Sequence, residues 1–407
     1  MGTLQVSNVH LESTANNRIE YAGSNTINIY AGGTNVLSAN SSTMNIPVAG
    51  SIAIGNSTVN TAITSSGITQ NGLNFRVPKN YIVNPGMRIS QENGSSSSTA
   101  SSYYPADQWI IGHIQDGTLT TQQVSSATPG GSENRIRMTV TSADASLAAG
   151  QYAFLVQTIE GLRTADLQWG TANATDVVLR FGFKGPAGTY AVAIRNQDAN
   201  RSFVREFTIS GGDANIDTLQ TLTFPGDTSG TWDKDNTGSL KITFTFATGS
   251  TYQTTPDSWQ AGNYRGTSTQ SNGIGTTSNV FELFDVGLYA DPDSTGVAPR
   301  FELPHYDTDL QECMRYYYQT VGDPLGASFR YISSASSSIS LGTVTLPEPM
   351  RTSPSFTVVT APTYTNASNI GGNFRIGDVQ HCYFSCTTSG AGNYRAYNGV
   401  YAFNARL

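Results

Sequence analysis

Charge is what this chain has least of. Only 13% of its 407 residues are Asp, Glu, Lys or Arg, about half the ~25% usual in a soluble domain. From Tyr21 to Phe75 there is none at all. Basic clusters are missing too, and the net charge is -7, so no nucleic-acid footprint is expected. No run approaches the roughly 18 apolar residues needed to span a bilayer, which argues against membrane insertion. The opening MGTLQVSNVHLESTANN has neither a basic start nor an apolar run, so no signal peptide is expected. Three cysteines cannot close a disulfide framework. Cys382 and Cys386 with His381 supply at most three ligands where a structural zinc needs four. They read as core residues, as does Cys313.

Glycine, serine, threonine and asparagine fill the space that charge leaves. The 41 glycines suit a turn-rich all-β chain, and 10% aromatics supply burial that disordered chains lack. Residues 1–79 carry short alternating pieces, Ile27-x-Ile29, Met44-x-Ile46 and Ile52-x-Ile54, then Val59, Ile63 and Ile68. Each is too short to bury its own apolar face, so an intertwined trimeric β-stalk is expected there rather than a flexible linker. Residues 80–320 read as one antiparallel β-sandwich, jelly-roll-like. Its strands are expected over 135–141, 152–159, 176–183, 189–195, 203–209, 240–247 and 279–288, with turn-rich connections. Thr308 and Gln311 have capping-box spacing, and Leu310, Cys313, Met314 and Tyr317 recur at helical intervals. One short helix is therefore expected over 308–319. Residues 321–407 read as a small C-terminal β domain with strands over 338–346, 355–360, 373–376, 380–387 and 397–403.

Catalytic signatures do not emerge. None of the four histidines sits in a nucleophile-elbow context, and no phosphate loop or dinucleotide fingerprint is present. A glycosidase needs two carboxylates facing one sugar. Asp107, Glu160, Asp166, Asp233 and Glu282 are available, but sequence brings no two together. No catalytic residue is assigned. Asp233-x-Asp235-x-Thr237-Gly238 has the front half of a calcium loop, but Phe244 stands where the bidentate Glu belongs. A turn using Asx chemistry is the simpler account. Sugar binding calls for exposed aromatic faces with polar groups around them. The stretch from Thr254 to Arg265 has that make-up, giving Trp259, Tyr264 and Arg265 as ligand candidates. The alternative is that Trp259 and Tyr264 close the edge of the sandwich.

Four stretches carry a family resemblance. Phe281 to Gln319 runs strand, acidic turn, Phe-Glu-Leu-Pro, helix and Arg-Tyr-Tyr-Tyr. Asn84-Pro85-Gly86-Met87-Arg88-Ile89-Ser90-Gln91 precedes Tyr104-Pro105-Ala106-Asp107-Gln108-Trp109. Pro225 to Trp232 followed by Asp235-Asn236, and Met350-Arg351-Thr352-Ser353-Pro354, complete the set. In this order and spacing, over about residues 80–360, they resemble bacteriophage tail-fibre and virion receptor-binding proteins with a carbohydrate-binding-like β-sandwich. The resemblance implies a homotrimeric virion fibre, assembled in the host cytoplasm. Its N-terminal region would meet other virion proteins, and it would adhere to host cell-surface glycans without being an enzyme. A polysaccharide depolymerase and a purely structural head or tail fibre are the rival readings. Distal parts of such fibres usually meet the host, which adds Tyr394, Arg395 and Tyr397 as candidates. No cofactor is expected and no metal-binding residue is assigned. A structural calcium, which modules of this kind often hold near positions such as Asp291 and Asp293, is implied by the resemblance alone.

Overall fold

The computed structural model describes residues 78–320 throughout, residues 345–363, 377–382 and 399–407, and the backbones of further strands on either side of these. Contacts divide the chain into two compact units, Met1–Pro78 and Lys79–Leu407.

The first unit holds two antiparallel meanders in which each strand pairs with the next. One comprises Asn8–His10, Arg18–Tyr21, Ile27–Ala31, Thr34–Ala39 and Met44–Asn45. The other comprises Ile52–Gly55, Asn60–Thr64, Gly67–Gln70 and Leu73–Asn74. The regular apolar positions of the sequence fall opposite one another: Val9, Ile19, Ile29 and Leu37 share one register row. Ile52, Ile63 and Ile68 share another.

The second unit is built on a two-sheet sandwich whose strands are β1 (Tyr103–Ala106), β2 (Trp109–Ile114), β3 (Thr118–Ser125), β4 (Asn134–Ser142), β5 (Tyr152–Glu160), β6 (Val177–Lys184), β7 (Gly188–Asn196), β8 (Arg201–Ile209), β9 (Thr218–Phe224), β10 (Gly238–Thr248), β11 (Trp259–Ala261) and β12 (Val280–Ala290). One sheet runs β1-β2-β5-β10-β7-β8-β11 and the other β3-β4-β12-β6-β9, antiparallel throughout. The expected all-β sandwich is therefore present. Alternate residues of each strand enter the space between the sheets, where Phe181 meets Phe207 and Phe244 edge-on at 5.1 and 5.0 Å. On β12 the alternation slips by one. Phe281, Leu283, Val286 and Leu288 join the core, while Asp285 takes a left-handed φ of 50° and shifts the register against β6. This bulge explains why the apolar row at 281–288 is only mostly alternating.

The helix differs from expectation at both ends. It spans Tyr306–Met314 with His305 at the N-cap position, and no side chain caps it. Thr308, the expected cap, is exposed inside the first turns. Pro304 lies just before the helix, and Asp307 and Asp309 place negative charge at its N-terminus. The chain leaves the helix because Tyr317–Gln319 forms a strand against Val400–Asn404, which also pairs with Ser355–Thr360. The last strand of the chain thus returns to the residues after the helix. The apolar stripe survives in shortened form, with Leu310 and Cys313 packing on Val83, Ile89, Tyr316 and Leu407.

Most of the stretches that carry the family resemblance meet at this joint, while Pro225 to Trp232 packs against Trp169 and Trp259. Asn84 donates to the carbonyls of Ile89 and Asp107 at 2.8 and 3.1 Å, and its own carbonyl accepts from Trp109 Nε1 at 3.1 Å. Gln91 Nε2 donates to Asp107 and to the Tyr317 carbonyl at 2.5 and 2.7 Å. Arg88 donates to Asp309 at 3.2 Å and to the Pro304 carbonyl at 2.5 Å. Arg315 grips Glu160 through two bonds of 2.8 and 2.5 Å, and Tyr316 donates to the same carboxylate at 2.8 Å. Arg351 donates to the carbonyls of Asn236 and Arg406 at 3.0 and 2.8 Å. Tyr316 is buried here within its own chain.

Asp309 gives the joint a pH signature. Burial pushes its carboxyl up to about 6, against the downward pull of Arg88. The folded protein then holds this proton more tightly than the unfolded chain does. Its contribution to stability is present in acid and is lost as pH rises through about 6. Melting temperatures of the wild type and of Asp309→Asn, measured between about pH 4 and pH 7, should show the wild type losing ground to the variant as pH rises. A constant difference would show that Asp309 does not titrate in that window.

Candidate functional site

Trp259 and Tyr264, paired by the sequence reading, lie on opposite faces of the seven-stranded sheet. Residues 259–261 form the edge strand β11 rather than a loop, with Trp259 opposite Phe203. The Trp259 ring turns inward and meets Trp169, Trp232 and Phe203 edge-on at 5.6, 5.7 and 5.4 Å. Its Nε1 donates to the Pro225 carbonyl at 3.0 Å. Trp259 thus closes the sandwich edge, the alternative that its sequence context left open. Past it, Ser202 Oγ donates to the Gly262 carbonyl at 2.9 Å and the chain crosses to the outer face. Tyr264 packs there on Ala191, Ala193 and Val204. Trp259 and Tyr264 cannot form one platform. Tyr394, Arg395 and Tyr397 fall on the strand Gly392–Tyr397, opposite Tyr331, Thr365 and Thr363. Their side chains lie outside the described residues.

The outer face of the seven-stranded sheet gathers Tyr264 and Arg265 with residues that sequence reasoning missed. On β7, Tyr190, Val192 and Ile194 enter the core, so Ala191, Ala193 and Arg195 face outward. Register then lays out rows across the sheet. Thr158, Lys241, Arg195 and Ser202 form one, and Val156, Thr243, Ala193 and Val204 the next. Gly112, Phe154, Thr245, Ala191 and Glu206 form a third. The floor is low because Ala191 and Ala193 are small and Gly112 lies under the Phe154 ring, 2.5 Å from where a Cβ would sit.

Arg265 stands over this floor between aromatic rings. Its guanidinium carbon lies 4.6 Å from the Tyr152 ring centre, 4.8 Å from Phe154 and 4.3 Å from Tyr252. The Arg265 carbonyl accepts from Thr245 Oγ1 at 2.7 Å, which pins the crossing segment to β10. Arg195 is buried, donating to Thr243 Oγ1 at 3.1 Å and to Asn263. Lys241 Nζ donates to the Gln197 carbonyl at 3.3 Å. Burial works against the charged form of all three cations. For Arg195 and Lys241 the neighbouring arginine charges add to it. Tyr152, Tyr252 and Tyr264 remain half-exposed. Arg195 and Lys241 sit mid-strand in AVAIRN and SLKITF. A charge inside an apolar strand was the one signal available, but only the sheet order shows that the two are neighbours.

Four of the five candidate acids, all but Asp233, are held by partners away from the outer face. Glu160 is held by Arg315 and Tyr316, and Glu282 by Arg135 and Arg137 at 2.9 and 2.6 Å. Asp166 pairs with Lys79, and Asp107 accepts from Gln91. Asp235 accepts from Thr237 N and Oγ1, making the Asx turn expected of that segment. Asp291 accepts from Thr295 N, Thr295 Oγ1 and Gly296 N at 3.0, 2.9 and 2.7 Å. Its oxygens thus face hydrogen-bond donors, an arrangement that suits a turn rather than a cation. Cavities of about 10 Å³, one beside Trp169 and Trp232 and one between Ile111 and Phe281, have room for a water and not for a sugar. Trp259→Ala should cost about 3 kcal/mol, because it removes a ring that three aromatic side chains and a carbonyl hold. Denaturant unfolding checks this, and a cost below about 1 kcal/mol would place the ring outside the core.

No family model matches the chain, and no curated protein matches it. Solved structures are similar over about half of the chain. The enzymatically active domain of tailspike protein 4 of bacteriophage CBA120 covers 50% of this chain and 22% of its own, at 14% identity and a TM-score of 0.27. The chain therefore spans less than a quarter of that protein's length. The module TmCBM61, solved with β-1,4-galactotriose, covers 52% of this chain and 99% of its own at 13% identity and a TM-score of 0.27. The family 11 carbohydrate-binding module of the Clostridium thermocellum cellulase Lic26A-Cel5E covers 49% and 97% at 14% identity and a TM-score of 0.26. At these values the comparisons describe likeness and assign no function.

Proposed function

We propose that this protein binds glycans through the outer face of its seven-stranded sheet, and that it serves as the adhesive part of a bacteriophage virion fibre. The observation that carries the binding reading is the set of half-exposed rings of Tyr152, Tyr252 and Tyr264 around a floor of small residues. Aromatic faces suit the apolar side of a pyranose, and the surrounding amides, hydroxyls and cations suit its rim. The virion role rests on the sequence resemblance of the four stretches between residues 84 and 354. A homotrimer fits the register rows of the first unit, since a two-layer core needs a second apolar face. Three shallow sites on one fibre would then raise a weak affinity through geometry.

The test is binding of the full chain to a glycan array and to intact cells. Tyr252→Ala should reduce binding by a factor of about 10–30, as for an interface hot spot, while its melting temperature shifts little. Absence of binding to any glycan or cell would favour a purely structural fibre. Steady release of reducing ends from a bound polysaccharide would make the protein a depolymerase instead. Light scattering should return three times the chain mass of 43.3 kDa, and a monomer at micromolar concentration would sink the trimer.

A further inference from the structure

The cations of the outer face stand without counter-charge. Elsewhere in the sandwich most buried or half-buried arginines hold a carboxylate: Arg135 has Glu282 at 2.9 Å, Arg201 has Asp227 at 2.6 Å and Arg315 has Glu160 at 2.5 Å, while Arg180 donates to the Pro299 carbonyl at 3.1 Å instead. Among the described residues, Arg195, Lys241 and Arg265 form no ion pair. They lie close enough for Arg195 and Arg265 both to act on Lys241. Arg195 is 4% exposed and Arg265 9%. Arg195 Nε and Arg265 Nε and Nη1 are buried with no hydrogen-bond partner. The Gln270 Oε1 acceptor is likewise unpaired, although Gln270 Nε2 donates to the Thr245 carbonyl at 3.0 Å.

The acids within reach do not cancel these charges. Asp198 is exposed and its field only partly offsets that of the arginines at Lys241. Glu206, on the same face, accepts from the Thr267 and Thr269 hydroxyls. A guanidinium stays protonated in proteins, and a buried charge is costly unless paired. Three like charges in one low-dielectric patch add their mutual repulsion. An anion arriving from outside would relieve both costs at once. No neutral ligand would.

We propose that the outer face of the seven-stranded sheet selects an acidic glycan, a saccharide carrying a carboxylate or sulfate. The half-buried Lys241 ammonium makes the direct contact with the anion. Arg195 and Arg265 act from beneath as fixed positive charge. Tyr152, Tyr252 and Tyr264 take the faces of the adjoining sugars. The inference rests on the glycan-binding reading given above and deepens it by naming the ligand's charge.

The experiment uses the full chain on an array of matched pairs: uronic-acid oligosaccharides beside their carboxyl-reduced counterparts, and sulfated galactans beside desulfated ones. At least one acidic member should bind about tenfold more tightly than its neutral partner, the worth of one charge-assisted hydrogen bond. The arm in which this occurs tells carboxylate from sulfate. Raising the salt should weaken the acidic interaction and leave any neutral one unchanged. Lys241→Gln should abolish most of the preference without lowering the melting temperature, which should stay or rise as one of three repelling charges is removed, and Lys241→Arg should retain it. Equal binding of acidic and neutral partners would overturn the charge selection and leave glycan binding standing. A preference that survives in Lys241→Gln would overturn the site. No binding to either member of any pair would overturn the glycan reading itself.

Discussion

The Glu160 carboxylate, removed from water and gripped by Arg315 and Tyr316, is the contact on which the second unit depends. Glu160 ends β5 in the seven-stranded sheet, and Arg315 and Tyr316 follow the helix. A buried carboxylate stripped of its partner costs about 3–5 kcal/mol, so the turn after the helix can sit in few other places. That placement aims Tyr317–Gln319 at Val400–Asn404. The Arg406 guanidinium then lies 3.9 Å from the Tyr104 ring centre and 3.8 Å from that of Tyr317. Sandwich, helix and last strand are thereby joined through one buried polar region. Asn84, Gln91, Asp107 and Arg88 complete it with bonds whose members lie far apart in sequence.

This gives the resemblance a physical meaning. Arg88, Gln91, Asp107, Arg315 and Arg351 are recognisable because the joint needs those chemistries in that order, and none of them faces the candidate ligand surface. Residues of this kind close the module, and they lie away from the candidate surface. The aromatic core makes the same division. With cavities of only about 10 Å³ between its rings, the interior near them has no room for a saccharide.

Strands that bury both faces were legible in the sequence. The seven expected between 135 and 288 are all present, within one or two residues of the bounds read from apolar content. The five that were missed are β1, β2, β3, β9 and β11. All but β2 lie at a sheet edge, where one side of the strand is unpaired and polar residues such as those of TLTTQQVS are tolerated. The helix was legible in existence and wrong in extent. Tyr316 and Tyr317 continue the apolar period, but long-range pairing with the last strand outweighs a local signal of that size. Of the ligand candidates, Tyr264 and Arg265 belong to the outer face, while Trp259 packs, half-buried, against the edge of the core. Gly262, at a φ of 144°, lies where the chain passes from one face to the other, and composition alone does not mark such a crossing.

Strand order explains why the cationic patch was invisible. Arg195 and Lys241 are 46 residues apart in sequence yet directly opposite in register, and Arg265 reaches them from a segment beyond both strands. In a meander, neighbouring strands would also be neighbours in sequence, and a charge pattern could be read along the chain. Here β10 inserts between β5 and β7, so charges from three separate segments meet. Such a meeting of like charges is unfavourable for folding. The sandwich elsewhere supplies carboxylates to most of its buried and half-buried arginines, as at Glu282, Asp227 and Glu160. The outer face breaks that local rule without a compensating gain inside the chain, which is where a fold's sequence consistency tends to yield to function.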